Sequence, residues 1–280
     1  AAAQAEGFAE ADPAMDVDGT DATQKLAILA HLAFGVWVPW ADIPRTGVEG
    51  IDQDLMRYAA ELGYRIRLVA VAARVDGRFA MRVSPSLVKV GTPLAETRGA
   101  YNAVSIVGDA VGRMFFHGLG AGQMPTASAV VADIIDTVVG RTAITFRTTG
   151  VLDTDSPAAQ IAGVEMPERF FLRIPVRDQP GVLAVISGVL GRHGISIASL
   201  IQHENGTAGP VSLVIMTHQC PPSSIKQALA EIDSSAAVEG RSDCLPVLAE
   251  WQPTGRKATT SLHGNHGNHG NHGNHEHHEK

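Results

Sequence analysis

The chain has 280 residues, 45% of them hydrophobic and 18% charged, with a mean hydropathy of +0.05. That is enough apolar material for two ordinary cores, and it excludes a lone binding module and a wholly disordered chain. A formal charge of −7 offers no basic field to a nucleic-acid backbone. There is no uncharged apolar run long enough to span a bilayer and no signal peptide, so neither membrane insertion nor secretion is expected. Two cysteines, Cys220 and Cys244, make no disulfide framework and fit a reducing cytoplasm. The first residue is Ala1 rather than Met, and the chain is expected to be cut from something longer.

Residues 1 to about 20 crowd Glu6, Glu10, Asp12, Asp16 and Asp18 into a stretch broken by Gly7, Pro13 and Gly19, which reads as a helix end and a turn-rich loop. From Thr20 a strong helix follows, with Thr20 or Asp21 as N-cap and Gly35 as its stop. Leu26, Ile28, Leu29, Leu32 and Phe34 leave it almost no polar face, so it is expected to be buried. Residues 36–62 read as helical, with turns at Pro44 and Gly47. From Tyr64, arginines 65 and 67 alternate with Ile66 and Leu68, the period of a half-buried strand. Further strands are expected at 78–83, 87–90, 103–107 and 112–116, then a helix from Pro125 to about Val139.

Residues 148–167 have no firm period and read as a linker. The next unit is predicted as strand 170–176, helix 182–193, strand 196–203, strand 211–218, helix 222–232 and a last strand near 237–243. That order is βαββαβ, a ferredoxin-like arrangement. The whole is an α+β chain in which a mixed sheet covered by helices precedes this unit. From about Thr259 the chain becomes a His-Gly-Asn repeat holding seven of the 12 histidines. Such a tail cannot build a core and is expected to be disordered; its imidazoles favour weak, adventitious binding of Ni²⁺, Cu²⁺ or Zn²⁺.

The densest polar group is Glu10, Asp16, Asp21 and Lys25. Asp21 and Lys25 stand four apart and share a helix face. A surface ion pair is one reading of them; a desolvated, proton-passing lysine oriented by Asp21 is the other. A second feature runs from His117 to Asp136, where Gly118, Gly120 and Gly122 precede a helix whose free N–H groups suit a phosphate or carboxylate. A turn that only packs a strand on a helix would look the same. The third is the turn at Asp178, Gln179 and Gly181, a candidate carboxylate pocket at the head of a helix or simply a helix start. His31 reads as a satisfied core histidine. The remaining histidines outside the tail, 117, 193, 203 and 218, show no metal-ligand spacing, and no metal site is expected in the body of the chain.

Three runs carry a resemblance: GFAEADPAMDVDGTDATQKLAILA, GLGAGQMPTASAVVADIID and FFLRIPVRDQPGVLAVISGVLGRHGISIASLIQHE. Together they resemble bacterial homoserine dehydrogenase, the first two its catalytic and dimerisation region and the third its C-terminal ACT regulatory domain. The resemblance implies a boundary scheme of 1–147 catalytic, 148–167 linker, 168–250 ACT and 251–280 tail. It implies reversible reduction of aspartate 4-semialdehyde to homoserine with NADP or NAD, in the biosynthesis of threonine, methionine and isoleucine. Lys25 matches the family's proton-transferring lysine. Glu10 and Asp21 match substrate-holding acids, Asp16 matches a further acid lining the site, and Gly7 and Gly122, with Gly120 beside it, match the cofactor-contacting positions. The turn at Asp178, Gln179 and Gly181 would take an effector such as threonine. A homodimer or homotetramer is implied, with strands 64–90 and 103–116 forming its dimerisation sheet. A threonine-sensing ACT protein on an inactive scaffold is the alternative.

The sequence departs from the family in having no dinucleotide-binding domain with its glycine fingerprint and monovalent-cation site among these residues. Thr92 stands where relatives often have His, and the histidine tail is not a family feature. The 280 residues alone are therefore expected not to turn over.

Overall fold

The computed structural model describes residues 14–75, 78–149, 165–202 and 211–249. A short helix α1 (Ala14–Val17) turns through Asp18 and Gly19 into α2 (Thr20–Phe34). A 3-10 turn at Trp40–Asp42 and helix α3 (Gln53–Glu61) follow, so most of 36–52, expected to be helical, is extended or turn. Two long antiparallel strands come next, β1 (Tyr64–Val75) and β2 (Arg78–Lys89), then the short α4 (Pro93–Glu96). The hairpin β3 (Tyr101–Gly108) and β4 (Gly112–Leu119) leads into α5 (Gln123–Val138) and α6 (Arg141–Thr149). The last unit is β5 (Arg169–Val176), α7 (Val182–Arg192), β6 (Ile197–Gln202), β7 (Val211–Thr217), α8 (Pro222–Asp233) and β8 (Asp243–Val247).

The expected βαββαβ order holds, but its last strand sits later than predicted. Residues 237–239 instead close the end of β5, where Arg177 N–H donates to Ala237 O at 3.1 Å and Glu239 N–H to Pro175 O at 2.8 Å. Strands predicted separately at 78–83 and 87–90 are one, because Pro85 needs no donor. Val83 N–H donates to Pro44 O at 2.9 Å on the edge away from β1, and at 87 that same edge meets β8, where Leu248 N–H donates to Leu87 O at 2.9 Å. Pro85 lies between the two with its missing N–H on that edge, where a strand tolerates proline. Helix α6 was not predicted and overlaps the start of the expected linker, whose residues 150–164 lie outside the described ones.

The ferredoxin-like strands do not form a sheet of their own. One six-stranded mixed sheet has the order β1-β2-β8-β5-β7-β6, with β2 and β8 parallel. The hairpin β3–β4 is a separate two-stranded sheet, so strands 64–90 and 103–116 do not make the single sheet expected of them. Alternation along β5 explains how the long sheet is covered. Phe170, Leu172, Ile174 and Val176 face α7 and α8 in one core with Ile186, Leu190, Ile225 and Ile232. Phe171 faces the other way, into a core with Val214, Met216 and Leu245 that is roofed by Leu55, Tyr58 and Ala59 of α3. Helix α2 lies on the same face as α3, further along β1 and β2, with Leu26, Ala27 and Ala30 against Met81, Val83, Leu68 and Ala72.

Helix α2 is therefore half covered rather than buried all round. Ile28, Leu29 and Leu32 are about half exposed, because the sheet takes only one stripe of a helix. His31 is buried as expected but not satisfied: it meets Trp37 edge-on, and among the described residues neither ring nitrogen has a hydrogen-bond partner.

Candidate functional site

Helix α2 carries the acid–lysine pair, and its start is built by backbone chemistry more than by the predicted caps. Gly19, at φ +82°, is the N-cap rather than Thr20 or Asp21. The Asp18 carboxylate accepts from Thr20 N–H at 2.8 Å and from Thr20 Oγ1 at 2.9 Å, bonds that lower its pKa below the ordinary carboxylate value. Thr23 Oγ1, fully buried, donates to Gly19 O at 2.7 Å. The segment 46–48 clasps this turn from outside, with Val48 N–H donating to Val17 O at 2.9 Å. A Cβ at Gly47 would stand 2.4 Å from Val17 O and 2.8 Å from Asp18 Cα, so only glycine lets this strand of chain approach.

On the face of α2 turned away from the sheet, Lys25 Nζ donates to Asp21 Oδ2 at 2.6 Å. The lysine side chain is 59% exposed and the aspartate 38%, so the expected desolvation of Lys25 is not found. The helix buries its other stripe, and at an exposed site the pair contributes little to stability. Asp16 is exposed on α1, across the Asp18–Gly19 turn. Glu10 and Gly7 lie outside the described residues.

The glycine-rich loop closes β4 and opens α5. Gly122, at φ +110°, is the N-cap of α5 and supplies no side-chain hydrogen bond, so the first N–H groups of a 16-residue helix are left for a ligand or water. Gly120 is glycine for another reason: a Cβ there would lie 1.7 Å from Asn102 Nδ2, because the Asn102 carboxamide lies across it. Beside this loop His117 stacks on Tyr101, with ring centroids 4.8 Å apart. Among the described residues no hydrogen bond or ion pair joins α2 to this loop. Two concave surfaces lie nearby in sequence, one lined by Ile144, Arg147 and Thr148, the other by Val130, Asp133, Ile134, Thr137 and Val138; neither contains a residue of the candidate site.

In the βαββαβ unit, the turn with Asp178 and Gln179 is exposed, and Gly181, at φ +93°, caps α7 without a side-chain hydrogen bond. Arg177 is held aside by Glu239 at 2.8 Å. β5 runs straight from this turn back to Arg173, which reaches across to α3. Arg173 Nε donates to Asp243 Oδ2 at 2.7 Å, and Nη1 and Nη2 donate to the two Asp52 oxygens at 2.8 and 2.6 Å. Asp52 is also the N-cap of α3, accepting from Leu55 N–H at 2.7 Å. The Arg173 guanidinium holds Asp52 below the usual carboxylate range. Burial works against the arginine's charge, yet its hydrogen bonds to the two carboxylates outweigh it and raise its pKa. Asp18, Gly47, Asn102 and Arg173 were not among the candidate site residues read from sequence, where Asp18-Gly19 and Gly47 gave only local turn signals.

Among the described residues no group of three His, Cys, Asp or Glu side chains could hold a metal. No described helix is long and apolar enough to cross a membrane.

Residues 170–236 match the ACT domain family, a match that runs through the ferredoxin-like unit from β5 to the end of α8. Residues 1–135 match the homoserine dehydrogenase family, and the chain belongs to that family, with an ACT domain toward its C-terminal end. It is 38% identical over 249 residues to a homoserine dehydrogenase of Pseudomonas aeruginosa, covering 86% of this chain and 56% of that protein. A Synechocystis homoserine dehydrogenase is 38% identical over 258 residues, covering 89% and 59%. Among solved structures, homoserine dehydrogenase from Thiobacillus denitrificans superposes with a TM-score of 0.77 at 36% identity, covering 88% of this chain and 57% of that one. The S. aureus enzyme gives 0.62 at 27% identity, covering 89% and 58%. The chain thus spans a little over half the length of these relatives.

Proposed function

We propose that these residues are the substrate-binding and regulatory portion of a homoserine dehydrogenase, which interconverts aspartate 4-semialdehyde and homoserine with NADP or NAD. The observation that carries the reading is the 2.6 Å Asp21–Lys25 pair, displayed on the open face of a helix whose other face is anchored in the sheet. Lys25 gives a proton to the aldehyde oxygen in reduction and recovers it in the reverse direction. Asp21 keeps that lysine aimed, and with Glu10 it accepts hydrogen bonds from the substrate's amino and hydroxyl ends. Asp16 adds negative charge at the same corner, which favours an ammonium-bearing substrate.

The nicotinamide, when bound, supplies the hydride for the aldehyde carbon. The uncapped start of α5 after Gly122 fits a pyrophosphate, with Gly7 as a further cofactor contact. Gly120 fits less directly, since Asn102 already fills the space its missing side chain leaves. At the ACT turn, the start of α7 after Gly181, with Asp178 and Gln179, suits the carboxylate and amino group of a small amino acid such as threonine. A homodimer or homotetramer agrees with a hairpin β3–β4 that exposes Ile106, Phe115 and Phe116, since an isolated two-stranded sheet is rarely stable alone.

The test is calorimetric titration of the 280-residue chain with homoserine. Binding is expected, at least ~10-fold weaker after Asp21→Asn, a loss on the scale of one charge-assisted hydrogen bond. Joined to the portion of the Pseudomonas aeruginosa relative that this chain does not span, it should oxidise homoserine. Lys25→Ala should then cut kcat by ~100-fold or more with cofactor affinity nearly unchanged. Loss of cofactor binding in that variant would show Lys25 to be misplaced. Binding of threonine but not homoserine would favour an ACT sensor on an inactive scaffold.

A further inference from the structure

Asp16, Asp21 and Lys25 stand on α1 and the first turns of α2, and an unbroken run of hydrogen bonds joins that corner to a strand of the ACT unit. We propose that Arg173, on β5, is a positioning residue for the Asp16, Asp21 and Lys25 corner, acting through Asp52 and the segment 44–51. What the corner does rests on the functional reading above; the tie to Arg173 rests on geometry alone. All three guanidinium nitrogens are engaged. Nε donates to Asp243 Oδ2 at 2.7 Å, and Nη1 and Nη2 hold the two Asp52 oxygens at 2.8 and 2.6 Å. A two-point fork fixes the orientation of a carboxylate as well as its distance. The Asp52 Oδ1 held in this way also accepts from Leu55 N–H at 2.7 Å, and Asp52 O accepts from Met56 N–H at 3.2 Å. The first turn of α3 therefore follows β5.

From Asp52 the path runs back along the chain. Ile51 N–H donates to Val48 O at 3.0 Å and closes a turn, while Val48 N–H donates to Val17 O at 2.9 Å. A Cβ at Gly47 would stand 2.4 Å from Val17 O, so segment and turn touch backbone to backbone with no slack between them. Thr46 N–H donates to Val83 O at 2.9 Å and Pro44 O accepts from Val83 N–H at 2.9 Å, which lays Arg45 parallel to β2. The segment is thus fixed to β2, to the α1–α2 turn and, through Asp52, to β5. Within the turn, the Asp18 carboxylate accepts from Thr20 N–H and Oγ1 at 2.8 and 2.9 Å and passes the constraint to the residue before Asp21. Reacting groups displaced by ~1 Å can lose ~100-fold in rate, so a loosened segment must show in turnover.

A second ion pair between β2 and the ACT unit supplies the control. Arg82 Nη2 donates to Glu168 Oε1 at 2.6 Å, with side chains 20% and 13% exposed, a burial comparable to that of Arg173 at 15%. Its guanidinium bonds to Ser84, Ser86 and Glu168, none of them in the segment 44–52.

Hydrogen exchange read by mass spectrometry on the 280-residue chain compares the parent with Arg173→Met, Asp52→Asn and Arg82→Met. Arg173→Met is expected to speed exchange at least ~5-fold in peptides covering 14–21 and 44–52, relative to peptides of α7 in the same sample, and Asp52→Asn by less. Arg82→Met should leave both stretches at parental rates relative to α7. Calorimetry should find homoserine bound ~5-fold more weakly by Arg173→Met. In the joined enzyme its kcat should fall ~10-fold or more, while Arg82→Met stays within ~2-fold of the parent. Lost stability alone would move the thermal midpoint of both arginine variants without separating them in this way. Should Arg173→Met not fold, Asp52→Asn, which keeps the α3 cap, carries the same comparison. The proposal is overturned if 14–21 exchanges as in the parent, if Arg82→Met loosens both stretches equally, or if kcat is unchanged in Arg173→Met at a temperature where it is folded. A parent chain that binds no homoserine overturns the functional reading instead, and the exchange pattern then decides the tie by itself.

Discussion

Arg173→Met removes the guanidinium that joins the ACT sheet to α3 while keeping most of the side chain's length. The arginine is 15% exposed, Asp243 30% and Asp52 52%. Two unit charges ~4 Å apart attract by about 4 kcal/mol at an effective permittivity of ~20. Desolvation of the arginine offsets part of that, and the openness of Asp52 discounts its share further. The variant is therefore expected to lose about 2–3 kcal/mol, since two carboxylates lose their partner together. Asp52→Asn should cost only about 1 kcal/mol, because asparagine still caps α3, while Asp52→Ala should cost about 1 kcal/mol more.

Urea unfolding at neutral pH measures each loss, and the Arg173→Met/Asp52→Asn double-mutant cycle isolates the coupling. The pH dependence has a fixed sign. The folded pKa of Asp52 lies below its ordinary 3.8, so its stabilisation is fully present above that value and vanishes as pH falls through the lower folded one. The gap between parent and Asp52→Asn should close in strong acid. An Arg173→Met protein as stable as the parent at neutral pH, or a gap that persists in strong acid, would refute the account.

Gly47→Ala should cost about 2–3 kcal/mol and weaken homoserine binding in calorimetry, since its Cβ would meet backbone at 2.4 Å. Gly120→Ala should cost less than about 1 kcal/mol in the same melts, because the atom in its way is the end of a side chain that can rotate. His31→Leu should be neutral or stabilising by about 1 kcal/mol in urea melts, since it removes two unpartnered buried nitrogens. The Cys244 thiol is pushed up to about 12 by burial first, then by Cys220 and Asp243. Mass spectrometry after brief exposure to iodoacetamide near neutral pH should find it unmodified in the folded chain and modified in denaturant.

What the sequence made legible was whatever depends on neighbours along the chain. The helical spacing in Val182–Arg192, the alternation from Tyr64 and the stop at Gly35 all reappear in the structure. The acid–lysine pair was legible too, because four residues is one helical turn. Its exposure was not, since apolar residues all round a helix say nothing of how much sheet is available to cover them. Arg173 and Asp52 stand 121 residues apart, and no periodicity announces such a meeting. The joining of β2 to β8 is equally remote, and it moved the predicted edge of the last strand. Asn102 and Gly120 explain each other only once the hairpin register brings their strands together.

The shared six-stranded sheet means that the boundaries of sequence families and of cooperative folding do not coincide. Severing the chain between α6 and β5 would strip α3 from Phe171, Val214 and Met216 and would open the β2 edge that β8 now occupies. The core under α7 and α8 would survive, but both halves would lose the shared core beneath α3, so the ACT portion is not a detachable cassette here. Residues 14–249 should melt in one transition, and an ACT piece expressed alone should aggregate through the face that α3 leaves behind.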